Sequence, residues 1–151
     1  ELTQEAVLDA LLPGGFTPNT LDYRFSWVQF QLLQALGFCP EDSHVLQAAG
    51  AIITQHFVSQ LLAEGQWEWA VYVALHARDP HARQALVREV INRFAPSARG
   101  AIAAATAPFL TQELRIPAEW VHEAAAWRYA RCVVVGAVVV AHCTFHEMCN
   151  S

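Results

Sequence analysis

EGQWEWA, residues 64–70, places one glycine between two apolar helical patterns and two tryptophans directly after it. Trp67 and Trp69 are two positions apart, roughly 200° around a helix, so they point to opposite sides. A helix with large aromatics on both sides has to be covered on both sides. That favours a stacked array of helices over a single amphipathic helix lying on a core. The tryptophan helix is expected over Gln66 to Ala77, apolar nearly all round through Ala70, Val71, Tyr72, Val73, Ala74 and Leu75. It is the expected buried centre, with Trp69 as a packing residue. Nothing in the stretch is a nucleophile, an activated base or a metal ligand.

Outward from there, proline and glycine punctuate the chain, because proline is tolerated only in the first turn of a helix. A short helix is expected from about Thr3 to Leu12, ended by Pro13-Gly14-Gly15. The next follows Asn19-Thr20, carries Leu21, Phe25, Val28, Leu32 and Leu36 on a helical stripe, and stops at Gly37 as a C′ residue. Ser43 reads as the N-cap of a long helix, His44 to Glu64, with Val45, Ala49, Ile52, Ile53, His56 and Phe57 on one side. Beyond the tryptophan helix, Asp79-Pro80 reads as an N-cap and first helical position, followed by the stripe Ala82, Leu86, Val90, Phe94. Ser97 to Thr106 reads as alanine-rich helix. Pro108 opens a turn-rich helix with Phe109, Leu110 and Leu114, and Ile116-Pro117 starts the last, with Trp120, Val121, Ala124 and Trp127 inward. Only Val133 to Val140 suits a strand. The expected fold is therefore all-α, an irregular antiparallel helical stack with no fixed repeat period. It divides into a short helix and loop (1–19), a helical-stack segment (20–131) and an atypical tail (132–151).

Composition narrows function. The chain has 151 residues, 54% hydrophobic and 15% charged, with a net charge of −5. All nine basic residues are arginine, scattered along the chain. Direct nucleic-acid binding, which needs clustered basic residues, is not expected. So apolar a surface is expected to meet other protein. Glu1 is not an initiator and no signal peptide opens the chain, so the start reads as an internal boundary. The apolar run Cys132 to Ala141 is ten residues, too short to span a bilayer of ~30 Å as a helix. Four cysteines without disulfide spacing (Cys39, Cys132, Cys143, Cys149) suit a reducing compartment.

Residues with catalytic or ligating potential each have a plainer reading. His142, Cys143, His146 and Cys149 are ligand types that zinc accepts, yet a closed site normally takes two pairs separated by a dozen or more residues. Their bunching at a terminus favours a disordered tail. His76, His81 and His122, near Asp79 or Glu123, could act as oriented bases only with a nucleophile in reach, and Ser26 and Ser59 qualify by residue type alone. Asp79 reads instead as a cap, and His76 as complementing the end of the preceding helix. Glu64 with Glu68, and Glu119 with Glu123, read as i,i+4 pairs on exposed faces. Tyr23, Phe25 and Trp27 read as core, with Asp22 and Arg24 on the surface. No catalytic, cofactor-binding or metal-binding residue is expected.

Three blocks carry a family resemblance: LDYRFSW (21–27) with the following QLLQAL, QLLAEGQWEWAVYVALH (60–76), and FLTQELRIPAEWVHEA (109–124). In order and spacing they resemble the 96-kDa nucleoporin family, over roughly residues 20 to 130. The resemblance implies an ancestral coatomer element, an α-helical chain folded back into crown, trunk and tail, with this sequence in the trunk and its approach to the tail. It implies a structural subunit of the Y-complex in the nuclear pore outer ring, supporting transport of protein and mRNA and situated at the nuclear envelope. The implied partners are the other Y-complex nucleoporins at the hub of the Y, and a small β-propeller bound through a region outside this sequence. A vesicle-coat relative on the same element is the alternative, with a zinc module behind it. After Arg131 the sequence CVVVGAVVVAHCTFHEMCNS does not resemble the family and reads as a gene-model artefact. Missing neighbours would leave apolar patches exposed and solubility poor.

Overall fold

The structure is a computed structural model that describes residues 4–39, 43–95, 103–131 and 133. Among these it is all-α: α1 (Gln4–Leu11), a 3₁₀ turn (Pro13–Gly15), α2 (Arg24–Ala35), α3 (His44–Ala63), α4 (Trp67–Ala74), α5 (Pro80–Phe94), α6 (Thr106–Pro108) and α7 (118–131). A π turn, Phe109–Glu113, continues α6. No strand occurs among the described residues. The tail with His142, Cys143, His146 and Cys149, the valine run beyond Val133, and most of the alanine-rich segment before Thr106 lie outside them. Val133 itself is helical and residues 103–105 are coil and turn.

Two units make up the chain, residues 1–87 and 88–151, with the division inside α5. In the first, α3 packs against α1, α2 and α4. Its buried residues Leu46, Gly50, Ile53, Thr54, Phe57, Val58 and Leu61 fall on one helical stripe. Phe30 of α2 seats its ring directly over Gly50, where any Cβ would overlap it. That glycine sits mid-helix at a cost of about 1 kcal/mol in propensity because only a bare backbone admits the ring.

Two helices end by the same device. Gly37 and Gly65 both take the left-handed conformation, with φ of 76° and 75°. After α2, Phe38 N–H donates to Leu33 O (2.9 Å) and Gly37 N–H to Gln34 O (3.0 Å). After α3, Gln66 N–H donates to Leu61 O (2.8 Å) and Gly65 N–H to Leu62 O (3.2 Å). Both are Schellman closures, which satisfy carbonyls orphaned at the helix end. N-caps are equally local: Ser43 Oγ accepts from Leu46 N–H (3.4 Å) and Asp79 Oδ2 from Ala82 N–H (2.8 Å).

Several expected core positions are corrected. The expected stripe Leu21, Phe25, Val28, Leu32, Leu36 is exposed, with Leu21 in a turn before α2 and not on the helix, and the opposite face of α2 (Ser26, Trp27, Phe30) is buried on α3. In α3, Ile53 and Phe57 are buried, but Val45, Ile52 and His56 lie on the other side and are exposed. Periodicity identified two apolar faces on these helices and could not say which one the fold would cover. In α4 the buried residues are Ala70, Val71, Val73 and Ala74, while Trp69 is 56% exposed and Tyr72 38%. Small side chains permit close helix approach, which pushes the large rings to the rim. In α5, Val87, Val90 and Ile91 are buried, whereas Ala82 is exposed and Leu86 and Phe94 only half-buried.

The second unit buries Leu110, Ile116, Val121 and Ala124. Arg115 adopts φ 54°, and Ile116 N–H reaches back to Leu110 O (3.0 Å), turning the chain into α7. Trp127, expected inward, is 61% exposed. Trp120 is half-buried, and the position a full turn after Val121 is closed by Ala124 instead of a large ring.

Candidate interaction surfaces

The outer face of α2 is the most distinctive surface in the first unit. Leu21, Phe25, Val28, Leu32 and Leu36 are each 55–74% exposed. Phe16 packs edge-on against Phe25, with centroids 4.8 Å apart, and widens the stripe at its start. From Phe25 to Phe38 the chain carries no Asp, Glu, Arg or His. An apolar helix face without charges is what a buried helix carries, and large exposed patches of this kind mark sites that meet other protein.

The inner face of α2 holds it to α3 and α4 through rings. Trp27 lies 5.6 Å from Phe57, 6.4 Å from Tyr72 and 5.3 Å from His76. Tyr23 stacks on His56 at 4.7 Å. Of the expected aromatic trio, Trp27 is buried, Tyr23 half-buried and Phe25 exposed. Ser26 Oγ, Trp27 Nε1, Gln29 Oε1 and Gln31 Nε2 are buried without a hydrogen-bond partner among the described residues. All four belong to α2. Each such group ordinarily costs about 1–3 kcal/mol, so α2 is the least satisfied element among the described residues of the unit.

A polar corner orients the start of α2. Gln60 of α3 accepts from Tyr23 N–H (2.9 Å) and donates to Asp22 (3.3 Å) and Glu64 (3.1 Å). Arg24 donates to Glu64 at 2.5 Å and lies 3.5 Å from Asp22. The Arg24 guanidinium, then Gln60, hold the Glu64 carboxyl below its ordinary range. The Arg24 backbone N–H, then Gln60, do the same for Asp22. Glu64 therefore faces Arg24 of another helix and is no partner of an i,i+4 array with Glu68, which lies beyond the Gly65 turn. The corner unites positions 37 to 40 apart in sequence, for which no local signal exists.

In the second unit Glu123 forms an ion pair with Arg88, and the Arg88 guanidinium lies over Trp120, 5.6 Å from the ring centroid. Cross-helix pairing again replaces the expected Glu119/Glu123 array. One turn along, Asn92 of α5 and Trp127, Arg128 and Arg131 of α7 line a cleft of about 210 Å³.

The residues with catalytic potential are not brought together. His76 Nδ1 lies 2.9 Å from the Tyr72 carbonyl at the end of α4. Asp79 caps α5, and Ser59 Oγ donates to Gln55 O (2.9 Å). His81 and His122 are exposed. Cys39 is buried, which raises its thiol above the ordinary value. Among the described residues no group of three or more His, Cys, Asp or Glu is placed to hold a metal ion. No helix among them is long and apolar enough to cross a membrane.

The model of the family described as nuclear protein 96 matches residues 3–128. The chain is similar to nuclear pore complex protein Nup98-Nup96 of Drosophila melanogaster, 32% identical over 129 residues, covering 85% of this chain and 6% of that protein. It is similar to the protein of the same name in Dictyostelium discoideum, 32% identical over 117 residues, covering 76% and 5%. Nuclear pore complex protein NUP96 of Arabidopsis thaliana is 32% identical over 118 residues, covering 75% of this chain and 10% of that protein. The chain thus spans a tenth or less of the length of these relatives. Because the family model matches residues 3–128 of the 151, most of the chain, the chain belongs to the nuclear protein 96 family.

Proposed function

We propose that this chain is a helical segment of the nuclear pore scaffold, working by shape and contact and without turnover. The observation that carries the reading is the charge-free apolar stripe on the outer face of α2, opposite a face that is already buried. A helix that is apolar on two sides belongs between two layers, as interior helices of stacked assemblies do. Burying such a stripe contributes about 25 cal/mol per Å² removed from water, which is the mechanism of a scaffold. The relatives named as nuclear pore complex proteins support the location, at the pore in the nuclear envelope. Residues 20–131 form the helical-stack segment in this reading. Its neighbours are other nucleoporins of the Y-complex at the hub of the Y, in support of protein and mRNA transport.

The test is a tagged copy of the chain, carrying either the native stripe or Phe25→Asp with Leu32→Asp, expressed in cells. The native chain is expected at the nuclear rim and to recover Y-complex nucleoporins on purification. The double variant, altered only at exposed positions, is expected to keep its helical circular-dichroism signal and lose that recovery. Localisation at endoplasmic-reticulum exit sites would assign the chain to vesicle coats instead. Recovery unaffected by the two aspartates would remove α2 from the interface.

A further inference from the structure

The seam between α5 and α7 contains one closed ion-pair site and, one heptad further along α7, a cleft that again joins a tryptophan to arginines, here supplied by α7 instead of α5. In the closed site Trp120 lies beneath the Arg88 guanidinium, which takes the Glu123 carboxylate. Trp127 follows Trp120 by seven positions, about two turns, and so returns to nearly the same face. Two arginines of α7 itself, Arg128 and Arg131, flank it, and α5 supplies Asn92 where it supplied Arg88 to the closed site. The position equivalent to Glu123 is Ala130, which is exposed and has no carboxylate to offer. Neither Arg128 nor Arg131 has an ion-pair partner among the described residues.

We propose that this cleft receives an acidic side chain from a partner protein, with Arg128 and Arg131 taking the carboxylate and Trp127 covering its hydrocarbon stem. The site is independent of where in the cell the chain works. Its volume of about 210 Å³ lies below the ~300–1,000 Å³ of small-molecule and cofactor pockets and suits a single side chain. Guanidinium groups bind carboxylates through paired, charge-assisted hydrogen bonds. Asn92 adds an amide able to donate to the second oxygen or accept from the partner backbone. An acidic peptide is favoured over nucleic acid because two guanidiniums in a chain of net charge −5 without lysine cannot release the counterions that phosphate-backbone binding requires.

The test uses the full chain and two fluorescein-labelled peptides, one with several glutamates among alanines and one with glutamines in their place, read by anisotropy. The glutamate peptide is expected to bind at least about tenfold more tightly than the glutamine peptide, and to weaken as salt rises. Arg128→Glu with Arg131→Glu is expected to remove that preference with the thermal melt unchanged; if that pair melts the chain, Arg128→Gln with Arg131→Gln serves. Ala130→Glu, which restores the missing carboxylate within the chain, is expected to compete with the peptide and weaken it by a similar factor. Equal binding of the two peptides, or a preference that survives loss of both arginines, overturns the proposal. Tighter binding of an oligothymidine through the same arginines would reassign the cleft to nucleic acid.

Discussion

α2 and α4 both pack on the first unit's central helix, and both carry large aromatics, yet they use them in opposite ways. α4 buries its small residues, Ala70, Val71, Val73 and Ala74, and leaves Trp69 at the edge against Tyr72, with centroids 6.1 Å apart. α2 buries Trp27 and Phe30 and leaves a whole apolar stripe outside. Size alone therefore does not decide which aromatic is core. Close approach to α3 requires short side chains on α4, whereas on α2 the notch at Gly50 admits a ring. The helix suited to lie between two layers is α2 and not the tryptophan helix.

The largest expected effect sets Trp27 against Trp69. Trp27→Ala should destabilise the chain by about 3–5 kcal/mol, and Trp69→Ala by about 1 kcal/mol or less, in denaturant titrations. Equal costs would break the distinction between the two helices. Gly50→Ala comes next. Alanine gains about 1 kcal/mol of helix propensity but displaces the Phe30 ring, so a net loss of about 1–2 kcal/mol is expected. A stabilised variant would mean that the ring has somewhere else to go. The smallest effect belongs to the corner at the start of α2. Because folding depresses the Asp22 and Glu64 carboxyls, their contribution is complete above the ordinary carboxylate pKa of about 4 and is lost as pH falls below it. The wild-type melting temperature should fall more steeply than that of Arg24→Ala between about pH 5 and about pH 3. The Arg24 side chain is 55% exposed and those of Asp22 and Glu64 31% and 30%, so screening keeps the difference small.

Much of the fold was legible because its signals are local. Gly37, Gly65, Ser43, Asp79 and Pro80 each fulfil a requirement set by neighbours within five residues, and each sits where the sequence reading places it. The family blocks at 21–36, 60–76 and 109–124 were legible for a different reason, being ordered strings that survive whatever the packing does. Faces were harder. Phe25, Val28, Leu32 and Leu36 form a true helical stripe, with Leu21 in the turn before it, but Ser26, Trp27 and Phe30 form another, and a period of 3.6 residues measures amphipathicity without naming the covered side.

The candidate sites show the same limit more sharply. Glu64 and Glu123 were visible as carboxylates near others in sequence, while their partners Arg24 and Arg88 lie 40 and 35 positions away. Trp127, Arg128 and Arg131 could be read as one face of a helix, but Asn92 joins them only because α5 runs beside α7. EGQWEWA determined by itself that one helix ends in a left-handed glycine and another begins at once, since that choice lies in backbone torsions and nearest-neighbour hydrogen bonds. Which tryptophan is buried, which apolar stripe is left outward and which arginine finds a carboxylate were decided by tertiary structure. Those outcomes depend on how closely two helices can approach, and that distance is set by side chains on both of them.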